Sequence, residues 1–452
     1  MFPLWLGLFA FVLLVGLLIQ LVVLPHVLPS FHAGDGLFVG GDWITFHREA
    51  VDMSTLIRNE GWDHWEFAQE GQSIVGIIAA IYAVTVPRPW VLLPIQAALH
   101  ATATLALIFI LNGLVESRNR AVLVSLLFFL MPSALIGSLQ ILKDIFSVPG
   151  FLLYLAGWVA LSRSTGRTSQ VARAALLAVG LGIVGSALMW CVRAYLLQIL
   201  QMISGVGGAG LTVWLIVRAI RRRIAWRSAL LVSACSVLLV LQLSGWCSLG
   251  GNLVTLPEAT QDAPGSASGA SAEAIDGQGF YWVESTILPG AADQALRKLA
   301  EQRDRWNRLN PGERANIDEG VVFHSAVDVV RYAPRALQIA LFAPFPTSWF
   351  STHESTFVTL HYWLVGVEMI IAYLGLLLIP LGVIRWWRSP ALWVVLLFCL
   401  SMLLAWAFST INAGTLYRLR YPYLLTLVCL GMAGGTGWIR RPPNRQSSRP
   451  KA

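Results

Sequence analysis

SIVGIIAAIYAVTVPRP, residues 73–89, decides how the rest of the chain is threaded. Its apolar part, 73–86, holds 14 residues before Pro87 and Pro89, whereas a helix needs about 20 to cross a bilayer. Proline lacks an amide donor and clashes with the preceding turn, so the helix must stop there. If this stretch were a span, every later connection would change sides. The arginine-rich connections would then face outward, against the tendency of cytoplasmic loops to carry Lys and Arg. The stretch therefore reads as re-entrant or as lying at the membrane interface.

Outward from it, ten apolar stretches start near residues 3, 90, 121, 145, 174, 197, 228, 361, 391 and 421. Alternate connections carry Arg118 and Arg120; Arg163, Arg167 and Arg173; Arg218, Arg221, Arg222, Arg223 and Arg227; Arg385 and Arg388. The tail adds Arg440, Arg441, Arg445, Arg449 and Lys451. Placing these in the cytoplasm puts both termini inside, as an even number of spans requires. The first stretch, about 2–24, has neither a basic leader nor a small-residue cleavage site and is expected to be retained.

Composition agrees. Of 452 residues, 56% are hydrophobic and 12% charged, where soluble domains average about 25% charged. A soluble enzyme is excluded. The net charge of +8 sits in short loops and reflects topology, so no nucleic-acid partner is expected. The five cysteines form no CxxC, and the eight histidines form no HxxH or HExxH, so neither a metal site nor a cofactor is expected. The fold class is an all-α polytopic membrane protein of about ten transmembrane helices with interfacial and re-entrant half-helices.

Four parts follow: a transmembrane module over 1–246 with a first outer loop at 30–72, an extracytoplasmic loop over 247–335, a second module over 336–438, and a basic cytoplasmic tail over 439–452. In the first loop Phe46, Ala50, Met53 and Ile57 recur at helical spacing, predicting a surface helix. The second loop opens with PEATQDAPGSASGASAEAIDGQG, a composition that predicts disorder. It continues with DQALRKLAEQRDRWNRL, an amphipathic helix stopped by Asn310-Pro311. RALQIALFAPFP, ending at Pro344 and Pro346, predicts a half-helix over 336–343.

Charged groups then remain at the outer ends of spans. Asp42 and His47 lie in GGDWITFHREA, Lys143 and Asp144 in QILKD, Arg193 and Tyr195 in CVRAYL, and Tyr417, Arg418 and Arg420 in NAGTLYRLRYP. Arg331 and Arg335 precede the half-helix. Ionisable groups at membrane depth are costly and mark function by default. The basic ones oppose the orientation bias, and a shared anionic ligand such as a lipid-linked phosphate would explain them. Plainer readings stay open. Arg418 and Arg420 would serve as interface anchors, Lys143 and Asp144 as a mutual pair, and Arg193 as a donor to helix-end carbonyls. Asp42 would serve as a helix cap, His47 as a structural hydrogen-bonder, and His353-Glu354 as a weak polar pair.

In their order along the chain these pieces resemble the membrane-embedded glycosyltransferases of the GT-C fold, which use polyprenyl-phosphate-linked sugars, and most of all those found with bacterial polysaccharide genes. GGDWITFHREA resembles the family's first-loop motif. GQSIVGIIAAIYAVTVPRPW with QAALHATATLALIFIL resembles its interface helix and second span. MPSALIGSLQILKDIF resembles its third span and following loop, and RALQIALFAPFP and NAGTLYRLRYP its late half-helix and terminal motif. The resemblance covers most of the chain. It implies Asp42 as the catalytic aspartate, Asp144 as a second acidic position, and Lys143, Arg193, Arg418 and Arg420 as groups near the carrier phosphate. His47, Tyr195 and Tyr417 would contact substrate. Many relatives carry a clearer acidic pair in the first loop; here Trp43 follows Asp42, and Asp35 is the nearby alternative.

The expected function is transfer of a sugar from a polyprenyl-phosphate carrier to a lipid or glycan acceptor hydroxyl at the outer face of a bacterial inner membrane. One alternative is a polysaccharide polymerase joining lipid-linked repeat units. Another is a transporter or flippase of lipid-linked sugars, for which His100, ten residues into its span, would line a through-going polar channel.

Overall fold

The computed structural model describes residues 1–68, 72–164, 168–249, 280–309, 311–352 and 356–439. The segment expected to be disordered, the His353-Glu354 pair and the tail beyond Ile439 lie outside them.

Among the described residues, eight helices are long and apolar enough to cross a membrane. Backbone polar groups find no water in hydrocarbon, so a spanning segment must satisfy them within its own helix. The spans are α1 (Phe2–Leu18), continuing through a wider-wound turn to Val27; α4 (Leu93–Asn112); α7 (Asp144–Ser162); α8 (Thr168–Arg193); α9 (Tyr195–Ile220); α10 (Trp226–Leu249); α13 (Thr356–Leu377) with α14 (Ile379–Trp386); and α15 (Pro390–Ser409). A ninth is a broken pair, α5 (Arg118–Leu130) and α6 (Pro132–Leu139), which meet at 61°. The sequence predicts one span there; Pro132 breaks it, and Met131 before it is pushed to an extended ψ of 122°. The tenth expected stretch forms α17 (Tyr421–Ile439), which is outside the count of eight.

Shorter pieces fill in. The surface helix α2 (Asp42–Glu60) buries Phe46, Ala50, Met53 and Ile57, the predicted face. It packs on α3 (Ser73–Val84), a 12-residue helix that ends before Pro87. The amphipathic helix α11 covers Gly290–Leu309. The expected half-helix at 336–343 is α12 (Ala326–Phe342), ten residues longer at its start. Ser325 caps it, its hydroxyl accepting from the Asp328 amide at 3.3 Å, and Pro334 is carried inside the helix. The helix therefore runs through the expected division at 335/336. The seven-residue α16 (Ala413–Leu419) precedes α17.

Helix α7 is the axis of the bundle, with Phe151, Tyr154 and Trp158 fully buried. Its glycines let α8 approach. A Cβ on Gly150 would sit 2.8 Å from the Gly185 carbonyl oxygen, and one on Gly185 would sit 2.5 Å from that of Gly150. Small residues at such crossings let backbones touch where lipid offers no hydrophobic drive. Short connections make neighbouring spans antiparallel. The starts of α2, α7, α9 and α17 and the ends of α8 and α15 accordingly lie at one end of the bundle.

Candidate functional site

At that end the first loop turns back on itself. β1 (His32–Gly34) and β2 (Leu37–Phe38) form a hairpin whose tip, Asp35-Gly36, has φ of 53° and 84°. Asp-Gly suits such a turn because both residues tolerate positive φ. The chain then enters α2 through Gly40 and Gly41. The Trp43 indole folds back to donate to the Phe38 carbonyl at 2.6 Å. A Cβ on Gly41 would lie 2.3 Å from that ring, so the Gly-Asp-Trp order makes room for the indole. Gly41, not Asp42, is the helix cap, and Asp42 occupies the first turn.

Asp42 accepts from the Arg418 Nη1 at 2.6 Å. The Arg418 Nε lies 3.5 Å from Asp144 Oδ2, and Asp144 Oδ1 receives Arg193 Nη1 at 2.8 Å. Four residues from four elements thus form one chain: Asp42, Arg418, Asp144, Arg193. The side chains of Asp42 and Arg193 are 8% and 6% exposed, those of Asp144 and Arg418 15% and 27%. The ends of the chain are buried and its middle is accessible. Asp144 thus engages two guanidiniums, those of Arg193 and Arg418. Lys143, itself buried, holds its ammonium 5.5 Å from the centre of the Phe46 ring on α2.

Asp144 and Arg418 stand on a half-open cleft whose walls include Phe128, Leu142, Ile145, Val148, Pro149 and Tyr421. The break between α5 and α6 contributes Ser133, Ala134 and Gly137 to the same lining. His100 also lines it, with Nε2 3.2 Å from the Phe129 carbonyl. Gln96 and Ser138 add further polar groups to the lining, and Ala103 an apolar one.

Other expected site residues are placed elsewhere. Arg420 is fully buried and donates to the carbonyls of Ile339 and Ala340 at 3.0 and 2.6 Å. It secures the end of α12 and does not join the ion chain. Tyr417 turns to Glu368 and Ser133. Tyr195 packs edge-on against Trp406. His47 belongs to a second group at the hairpin tip, 3.0 Å from the Tyr82 hydroxyl and 3.3 Å from Asp35, while Arg88 pairs with the same aspartate. Burial holds the His47 pKa below its ordinary value. Asp35 is thereby engaged away from Arg418. The Arg335 Nε and Nη2 both donate at 2.8 Å to the carboxylate of Asp318, which lies in the connection between α11 and α12.

One residue was missed by sequence reasoning. Glu368 lies inside an apolar span, 2% exposed. The rule that flags ionisable groups in membranes would have found it. Among the described residues no group of His, Cys, Asp and Glu is suited to hold a metal ion. No family model, curated protein or solved structure matches the chain.

Proposed function

We propose that the chain is a membrane-embedded glycosyltransferase that moves a sugar from a polyprenyl-phosphate carrier to an acceptor hydroxyl at the outer face of the membrane. The observation that carries the reading is Arg418, shared between two carboxylates from distant parts of the chain, at the mouth of an apolar cleft. Such a cleft suits a prenyl tail, and a guanidinium fits phosphate oxygens in a two-pronged manner. The arriving phosphate draws Arg418 away from Asp42. That carboxylate, losing its cation in a poorly hydrated place, becomes the stronger base.

Asp42 then takes the proton of the acceptor hydroxyl. The acceptor oxygen bonds to the anomeric carbon as the bond from that carbon to the phosphate oxygen breaks. The phosphate leaves with the electron pair, and Arg418 meets its charge. Arg193 holds Asp144 in place, and Lys143 adds positive charge nearby.

The test is Asp42→Asn in membranes supplied with a labelled lipid-linked sugar. Loss of a general base lowers transfer by about 10²–10⁴-fold. Transfer at the unsubstituted rate removes Asp42 from the mechanism.

A further inference from the structure

Arg418 sits on a helix too short to hold itself. α16 has seven residues, well below the length at which isolated helices are stable. Its position must come from anchors outside it. At its start the Asn412 side chain accepts from the amides of Gly414 and Thr415 at 3.0 and 3.1 Å and donates to Glu313 at 2.8 Å. Just past its end Arg420 is fixed to the last carbonyls of α12. Between these, beside Arg418, the Tyr417 hydroxyl donates to the Glu368 carboxylate.

The other oxygen of Glu368 accepts from the Ser133 amide at 2.7 Å. That amide is one of the donors left open where α6 restarts after the break, and such orphaned helix-start donors need a partner. The Ser133 hydroxyl lies 3.4 Å from the Tyr417 hydroxyl. A single buried carboxylate therefore joins three elements: the span α13, the broken wall of the cleft, and the segment bearing Arg418. An acidic side chain inside an apolar span is costly unless it is fully engaged, and both oxygens here are engaged by groups bordering the site.

We infer that Glu368 is a positioning residue, setting the place of Arg418 through Tyr417 and the wall of the cleft through Ser133. The role rests on the transferase reading only in its consequence for turnover; the placement of Arg418 is independent of it. Glu368→Gln keeps the volume but cannot accept at both oxygens. Tyr417→Phe removes only the hydroxyl. For the placement of Arg418 both act on the same link, so in that readout the double variant behaves like either single one.

The experiment measures two things on folded, detergent-purified protein. One is the rate at which phenylglyoxal modifies Arg418, read by mass spectrometry. The other is kcat and KM for the labelled lipid-linked sugar, with Arg418→Ala alongside. The expected result is a several-fold rise in Arg418 modification in both single variants, with no further rise in the double. Turnover is expected to fall about 10–100-fold, the scale of a small misplacement of a reacting group. A merely structural role would lower the yield of folded protein and leave both readings of that protein unchanged; that result overturns the inference. So does lowered turnover with Arg418 modification unaltered. If modification rises but neither the unsubstituted chain nor Arg418→Ala shows transfer, the positioning role stands and the transferase reading falls.

Discussion

Two ionic networks in this molecule are built from the same side chains and do different things. In the connection between α11 and α12, Asp318 takes two bonds from Arg335 and one from the Tyr332 hydroxyl. Arg303, 1% exposed, donates to the carbonyls of Val321 and Asp318 at 3.0 Å and lies over the rings of Phe323 and Tyr332. The bonding capacity of that network is spent on the fold. At the head of the cleft, Arg418 divides itself between Asp42 and Asp144, and the contact to Asp144 is a longer one at 3.5 Å. The second network is the one that borders a cavity. A buried arginine cluster is therefore no sign of a ligand in itself; the sign is a cluster that borders open space.

The comparison breaks most sharply on paired substitutions. Arg418→Ala is expected to lower sugar transfer by about 10³-fold, since it removes the charge facing the leaving phosphate, with little change in thermal unfolding. If unfolding shifts as far as in Arg303→Ala, the two networks are of one kind. Next in size is Gly137→Leu. A Cβ there meets only Leu142, at 4.0 Å, so the side chain can enter the cleft without displacing backbone. Transfer is expected to fall at least tenfold, with the fold intact in circular dichroism. Arg303→Ala comes third: it strands buried carbonyls and is expected to cost about 3 kcal/mol of stability, read from denaturation in detergent.

The smallest effect sharpens the contrast by pH. The Arg335 guanidinium bonded to Asp318 holds that carboxyl below its usual pKa. Its stabilisation is complete above the unfolded-state value of about 3.9 and is lost as pH falls through the depressed folded value. The stability gap between the unsubstituted chain and Asp318→Asn should therefore be steady near pH 7 and close only below about pH 4. A gap that closes near neutrality would assign it to another group.

Much of this was legible before any coordinates, for a physical reason. Charged groups stand out in an apolar chain, so Asp42, Asp144, Arg193 and Arg418 were visible one by one. Their pairing was not, because Asp42 and Arg418 are 376 residues apart. Arg420 stands apart from the acids for a reason the helix itself supplies. Residues two apart do not share a helical face, so when Arg418 turns to the acids Arg420 must turn away, and it does. Arg335 went astray because its partner Asp318 comes from a stretch without periodicity. The true start of α12 was carried by Ser325 and Asp328, a capping pattern set back from the apolar run that drew attention. The 12-residue α3 ends before Pro87, as the sequence predicts, because proline and length act locally.

The bend at Met131-Pro132 has a wider meaning. The hollow it borders owes its existence to the path of the main chain and not to a missing side chain. Substitutions along its walls can therefore resize or reshape it without erasing it. Such changes would alter the shape of the hollow by small steps while leaving the ion pairs of Asp42, Arg418, Asp144 and Arg193 in place.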